Sequence, residues 1–135
     1  MQFTFPKKEK LKSKTRIAQL FLEGKTITVF PIKLIYLKVD QQDAVVQAGV
    51  AVPKKNFKSA VKRNHLKRLL REAYRLNKGL VVNNTEDSFA FLFLYIGKET
   101  PPFGIVEKKM TLLLRKFNAR TTEKASSAKD DIKEQ

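Results

Sequence analysis

KSAVKRNHLKRLLREAYRLNK, residues 58–78, holds eight Lys or Arg in 21 positions, and Glu72 is its single acid. Neither Gly nor Pro interrupts it, so it predicts one long helix. Ser59 offers a hydroxyl to a free first-turn N–H, and Gly79 follows Lys78 as a natural C-terminal stop. At about 100° per residue, Leu66, Leu69, Leu70, Ala73 and Leu76 form one apolar face. Asn64, Lys67, Arg68, Arg71, Arg75 and Lys78 gather opposite, with Arg63 and His65 at the margins. A solvated helix face usually mixes signs to make i,i+4 pairs, and this one does not. One side packs on a core; the other is a footprint for a polyanion.

The rest of the composition agrees. The chain has 135 residues and 42% hydrophobic content, enough for one domain with a real core and a tail. A net charge of +15 calls for a polyanionic partner. Nucleic acid fits better than a membrane surface, because no stretch pairs a basic face with a wide apolar one. There is no Cys, hence no disulfide and no thiolate metal site. The first residues lack the apolar run of a secretory signal, and no stretch approaches the ~18 apolar residues of a membrane span. A cytoplasmic protein is expected. Asn83-Asn84-Thr85 reads as a glycosylation sequon, which has no meaning without export.

Taken in order, residues 1–12 are a basic arm in which Phe3 and Phe5 precede Lys7, Lys8, Lys10 and Lys12. Ser13 caps a helix to about Glu23, with Ile17, Leu20 and Phe21 on one face and Gly24 at its end. Strands are predicted at Lys25–Val29, Ile32–Val39 and Ala44–Val52, separated by Pro31 and an Asp40–Asp43 turn. In the third, Gln47, Gly49 and Ala51 share a side too small and polar for a core, which leaves a shallow open surface. After the basic helix and an Asn83–Asp87 loop, Phe89–Ile96 is apolar on both sides and reads as a central strand. Pro101-Pro102 mark a loop before a last helix, Ile105–Phe117, with Val106, Met110, Leu113 and Phe117 in line. Residues 118–135 are polar, with four basic and four acidic side chains, and read as a disordered tail. The domain proper is thus 13–117. The order α-β-β-β-α-β-α predicts an α+β fold: a single-domain α/β sandwich with a four-stranded, mostly antiparallel sheet.

The motif around the basic helix resembles a known family. Lys54-Lys55 followed by Ala60–Glu72 (AVKRNHLKRLLRE) is similar to the RNR signature of the bacterial ribonuclease P protein component. Gly49–Lys55 resembles the strand leading into it, and Phe5-Pro6-Lys7, Leu11, Leu20-Phe21 and Gly24 resemble the family's opening. The similarity spans residues 5–117. His65 stands where the motif usually has its second Arg, and the connection from Lys55 to Ala60 is slightly long. The resemblance implies a left-handed βαβ crossover, against the ~98% right-handed rule.

It also implies a function. The family's protein assists a catalytic RNA that removes the 5′ leader of precursor tRNA, with Mg²⁺ held through the RNA subunit and substrate. The expected partners are that RNA and precursor tRNA, with no obligate protein partner. The RNA-binding set is Lys54, Lys55, Lys62, Arg63, Asn64, His65, Lys67, Arg68, Arg71 and Arg75. The family's leader cleft maps onto Ile17, Phe21 and Ile35, with Tyr36 as the alternative if the strand register shifts by one. The residues themselves show no catalytic set. His65 is the only histidine and has no orienting carboxylate nearby in sequence. No P-loop or Ser-His-Asp set occurs. Asp40, Asp43, Glu86, Asp87, Glu99 and Glu107 lie near loops, without metal-ligand spacing, as solvated charges. Two rivals share the charge pattern: a ribosomal-type structural RNA-binding protein, and a DNA-binding module with its helix in a major groove. Asn64 is the only clear base reader on the helix, which favours phosphate contacts over groove readout.

Overall fold

The computed structural model describes residues 5–40, 44–83 and 87–134, with side chains through Thr121. Phe3, residues 41–43 of the predicted turn with Asp43, and residues 84–86 of the loop before the last strand with Glu86 lie outside the described residues. A short 3-10 turn, Lys7–Glu9, precedes α1 (Lys14–Glu23), β1 (Lys25–Val29), β2 (Ile32–Val39) and β3 (Val46–Ala51). Then come α2 (Ala60–Asn77), α3 (Gly79–Val82), β4 (Ser88–Tyr95) and α4 (Phe103–Glu134). The strands form one open mixed sheet in the order β1-β2-β4-β3. β1–β2 and β2–β4 pair antiparallel; β3 and β4 pair in parallel, joined through α2 as a βαβ unit. The fold is α+β.

Alternation along the strands sorts side chains to two faces. Ile32, Leu34 and Tyr36 of β2 and Phe89, Phe91, Phe93 and Tyr95 of β4 face one side, where Leu66, Leu70 and Ala73 of α2 and Val106, Met110, Leu113 and Phe117 of α4 close the main core. Phe117 is fully buried, its ring 4.8 Å from that of Phe91 and 5.0 Å from that of Tyr36. Full burial of such a side chain contributes roughly 1.5–3 kcal/mol, so this aromatic stripe is core. Ile35, Val39, Ala90 and Leu92 face the other side and pack against Leu20 of α1 and Leu11. β4 is therefore central and covered on both sides, as its two apolar faces require.

Four expectations need correction. The basic helix ends ahead of Gly79 as expected, at Asn77 with Lys78 as its C-cap, but not through a left-handed glycine: Lys78 stays right-handed at φ −61°, and no glycine has positive φ among the described residues. The chain turns instead into α3, which buries Val81. Tyr74, which the apolar face did not include, is buried against Phe93 at 5.4 Å, while Leu69 and Leu76 are half-buried. The last helix begins at Phe103 and runs past Phe117 to Glu134, through a segment without Gly or Pro. Its packing also outruns the limit at 117, since Asn118 Nδ2 donates to Leu80 O at 2.5 Å and an Arg120 guanidinium N–H to Thr26 O at 2.8 Å. Of the acids expected to be solvated, Glu107 is half-buried and accepts from Asn77 at 3.2 Å, while Asp87 stays exposed in a surface pair with Lys38 at 3.5 Å.

Candidate nucleic-acid interface

Ser59 caps α2 as its hydroxyl accepts from the Lys62 N–H at 3.3 Å. With Leu66, Leu70, Ala73 and Tyr74 drawn into the core, the helix must direct its other faces outward. Lys62, Asn64, His65, Arg68 and Arg71 are exposed and Lys67 is half-buried. Lys54 and Lys55 are exposed in the turn before the helix. A recess of about 580 Å³ opens at the start of α2, and Lys58, Lys62 and Lys98 stand around it beside Glu99. Tyr95, in β4, donates to Glu99 O at 2.5 Å and so holds that loop. Burial and the Glu99 carboxylate push the Tyr95 hydroxyl above its ordinary pKa, so it stays protonated as this donor.

Three cations of the sequence-derived face have other work. Arg63 donates from one terminal nitrogen to Phe57 O at 2.7 Å and Lys58 O at 2.9 Å, tying down the loop that enters α2. Arg75 grips Glu72 through two nitrogens, one of them Nε at 3.0 Å. That hydrogen bond lowers the Glu72 carboxyl pKa and raises the Arg75 guanidinium pKa. Lys78 is buried, with Nζ 2.5 Å from Glu9 Oε1. It is a structural residue and leaves the RNA-facing row.

That last pair belongs to a clasp invisible to helical periodicity. Leu11 N–H donates to Ala48 O at 2.9 Å, and Gln47 Nε2 donates to Lys8 O at 3.0 Å, so the basic arm runs along the β3 edge. The Phe5 ring lies 5.7 Å from Tyr74, and Lys10 and Lys78 stand over it at 5.7 and 5.9 Å. Burial first, and the Glu9 charge second, push the Tyr74 hydroxyl well above the ordinary tyrosine range.

The sheet face opposite the main core is partly open. Register aligns Thr26, Ile35, Leu92 and Gly49 in one row across it, and Thr28, Lys33, Leu94 and Ala51 in the next. The first row is roofed by Leu20 of α1 and by Leu11 above Gly49, where an added Cβ would meet Leu11 Cβ at 3.3 Å. The expected open surface is thus narrower than Gln47, Gly49 and Ala51 suggested. In the second row Lys33, Leu94 and Ala51 remain half-buried. Phe21 of α1 is 59% exposed and Ile17 half-buried beside this face. Gly24 lets α1 turn into β1 at contact distance: an added Cβ would lie 2.4 Å from Leu20 O and 2.7 Å from Ile35 Cγ2. Ile35 is on the α1 side but only 5% exposed, packed under Leu20, so it is covered and is not an open cleft residue. Tyr36, the register alternative, is buried on the opposite face between Phe89 and Phe117. Lys33, missed in the sequence, was legible from the alternation that places Ile35.

Among the described residues no three His, Cys, Asp or Glu stand together to hold a metal ion, and no helix is long and apolar enough to cross a membrane. The described residues offer exposed cations along α2 and an exposed ring, Phe21, on α1. Such a surface suits a polyanion.

A family model described as Ribonuclease P matches residues 5–118. The ribonuclease P protein component of Porphyromonas gingivalis is 39% identical over 112 residues, covering 80% of this chain and 82% of that protein. The corresponding protein of Chlorobium phaeobacteroides is 35% identical over 131 residues, covering 87% and 88%. Among solved structures, the RNase P protein of Thermotoga maritima superposes with a TM-score of 0.64 at 28% identity, covering 79% of this chain and 96% of that one. That of Staphylococcus aureus shares the fold, with a TM-score of 0.67 at 16% identity. With its basic helix, its fold and these relatives in agreement, the chain belongs to the ribonuclease P protein family.

Proposed function

We propose that this chain is the protein subunit of a cytoplasmic ribonuclease P and helps its catalytic RNA remove the 5′ leader of precursor tRNA. The observation that carries the reading is the outward row Lys67, Arg68 and Arg71 of α2, with Lys62 exposed in its first turn, in a member of this family. These side chains neutralise RNA phosphates and release condensed counterions, which is the main driving force for such docking. The single-stranded leader lies along α1 and the second sheet row, against Phe21 and Ile17, with Lys33 to meet its backbone; Ile35, buried beneath α1, does not touch it. Such a groove works by stacking and charge and tolerates any sequence. Mg²⁺ enters through the RNA subunit and substrate, and this chain's part is to bind and orient the RNA. The test is cleavage of precursor tRNA by full-length protein alone, by the RNA alone at low Mg²⁺, and by both. Only the mixture should give efficient cutting at the leader junction. Site-specific cleavage by the protein without RNA would sink the reading.

A further inference from the structure

The outer face of α4 is also cationic and has no part in the function proposed above. Lys108, Arg115 and Lys116 are exposed on it, with Lys109 half-buried at its margin. Glu107 is the only acid between Phe103 and Thr121, and Asn77 Nδ2 donates to its carboxylate at 3.2 Å. Arg120 is drawn aside by Thr26 O. Among the described residues, no carboxylate pairs with Lys108, Arg115 or Lys116.

The same helix supplies the contrast. Beyond Thr121 its sequence sets Lys124, Lys129 and Lys133 against Glu123, Asp130, Asp131 and Glu134, the mixed pattern of an ordinary solvated face. Residues 103–121 lack that mixing, and Lys116 with Arg120 places like charges at i,i+4, which disfavours the bare helix. A protein partner would call for a broad apolar patch. This face has only Ile105 and Leu112, at 43% and 38% exposure.

Position points to the occupant. Leu66, Leu70 and Ala73 of α2 share one core cluster with Val106, Met110 and Leu113 of α4, so the two helices cover the same side of the sheet. Their outer faces leave the molecule in the same direction, and packed helix axes lie about 8–10 Å apart. A folded RNA seated on α2 therefore reaches α4 across one such step. We propose that the outer face of α4 is a second docking surface for the catalytic RNA subunit, with Lys108, Arg115 and Lys116 on its backbone phosphates. This rests on the reading of the chain as a ribonuclease P subunit.

The experiment uses the full chain with Lys108→Gln, Arg115→Gln and Lys116→Gln together. Its affinity for the RNA subunit alone is followed over a salt series, beside wild type and Lys67→Ala with Arg71→Ala. The slope of log K against log salt should become shallower by about 0.7–0.9 per lost cation, about 2–3 in total, at an unchanged melting temperature. Lys108→Arg with Lys116→Arg should keep the wild-type slope. If the triple variant melts early, its three single substitutions, all at exposed positions, read the same change per charge. Wild-type protein without salt-dependent affinity for the RNA would defeat the subunit reading itself. A weakened α2 variant beside a triple variant with wild-type slope would overturn the α4 proposal alone. A triple variant that binds the RNA subunit normally but loses precursor tRNA in the assembled enzyme would place α4 against the substrate, and also overturns it.

Discussion

Lys78 Nζ lies 2.5 Å from Glu9 Oε1, which pins the end of α2 to a residue 69 positions earlier in the chain. Lys78 keeps 8% of its side-chain exposure and Glu9 keeps 19%, so neither charge is well solvated without the other. Breaking one partner of a shielded pair costs about 3–5 kcal/mol. Because Glu9 is the less buried partner, Glu9→Gln should cost about 3 kcal/mol, the low end of that range. The reading is a lower urea midpoint at an unchanged m-value. Glu9→Gln with Lys78→Met removes the stranded ammonium and should recover most of the loss. A neutral Glu9→Gln would mean that the arm holds through Phe5 and the β3 edge alone.

Phe21 and Tyr36 separate exposed surface from core. Phe21→Ala removes a ring that is 59% exposed, so the melting temperature should barely move. Precursor tRNA binding by the assembled enzyme should weaken by roughly 1–3 kcal/mol, the worth of one stacked base, while mature tRNA binding holds. Tyr36→Ala opens the core between Phe89 and Phe117 and should cost about 3–5 kcal/mol of stability. Equal weakening for both tRNAs by Phe21→Ala would show that the ring has no leader to stack.

These pairs mark what the sequence could and could not supply. Local periodicity suffices for elements that bury one face of their own: the apolar line of α4, both sides of β4 and most of the strand limits were legible. So was the outward row Lys67, Arg68 and Arg71, since a helix that buries Leu66 and Leu70 turns these positions away from the core. A wheel does not say which cation another element will claim. Lys78 is taken by Glu9, Arg63 by two carbonyls of its own loop, and Arg75 by Glu72, and the first of these is a contact between residues far apart in sequence. Gly79 marked where the basic helix ends but not how: the C′ glycine does not take the left-handed conformation common there, and the apolar Leu80-Val81-Val82 carries the chain straight on into α3, which buries Val81. Ile35 and Tyr36 were ambiguous because a one-residue slip exchanges the two faces of a strand. Only pairing with β1 and β4 fixes which one faces α1.

The Glu72–Arg75 pair gives a pH-dependent and a salt-dependent expectation. The hydrogen bond from Arg75 holds the Glu72 carboxyl below its usual range in the folded state. Its contribution to stability is therefore present above the unfolded pKa of about 4.3, and is lost as pH falls through the lowered folded value. Both groups are largely solvated, so the effect is small, and Glu72→Gln should slightly flatten the acid limb of the melting curve. The same change removes the carboxylate that grips Arg75. If that guanidinium then turns to RNA, the slope of log K against log salt for the RNA subunit should steepen by about 0.7–0.9. An unchanged slope would show that Arg75 stands beyond the RNA's reach.

Lys67 and Arg71 test the interface itself. They sit one turn apart as i and i+4 on α2, outside the Leu66, Leu70 and Ala73 core line, so their side chains can take successive phosphates without touching the packing. Lys67→Ala with Arg71→Ala should leave the melting temperature nearly unchanged and weaken RNA-subunit binding most at low salt. If each neutralises one phosphate, the slope should fall by about 0.7–0.9 per charge, and the two proteins should converge as salt rises. Arg63→Ala should behave differently, because it frees Phe57 O and Lys58 O. It loosens the loop entering α2, so its loss of affinity should come with a lower melting temperature. His65 is exposed on the same helix and stands where the family motif usually has Arg. His65→Arg adds a cation there and should steepen the slope by about one phosphate's worth without changing stability. A double variant that unfolds would make this face structural; one that stays folded with the wild-type slope would take α2 out of phosphate binding.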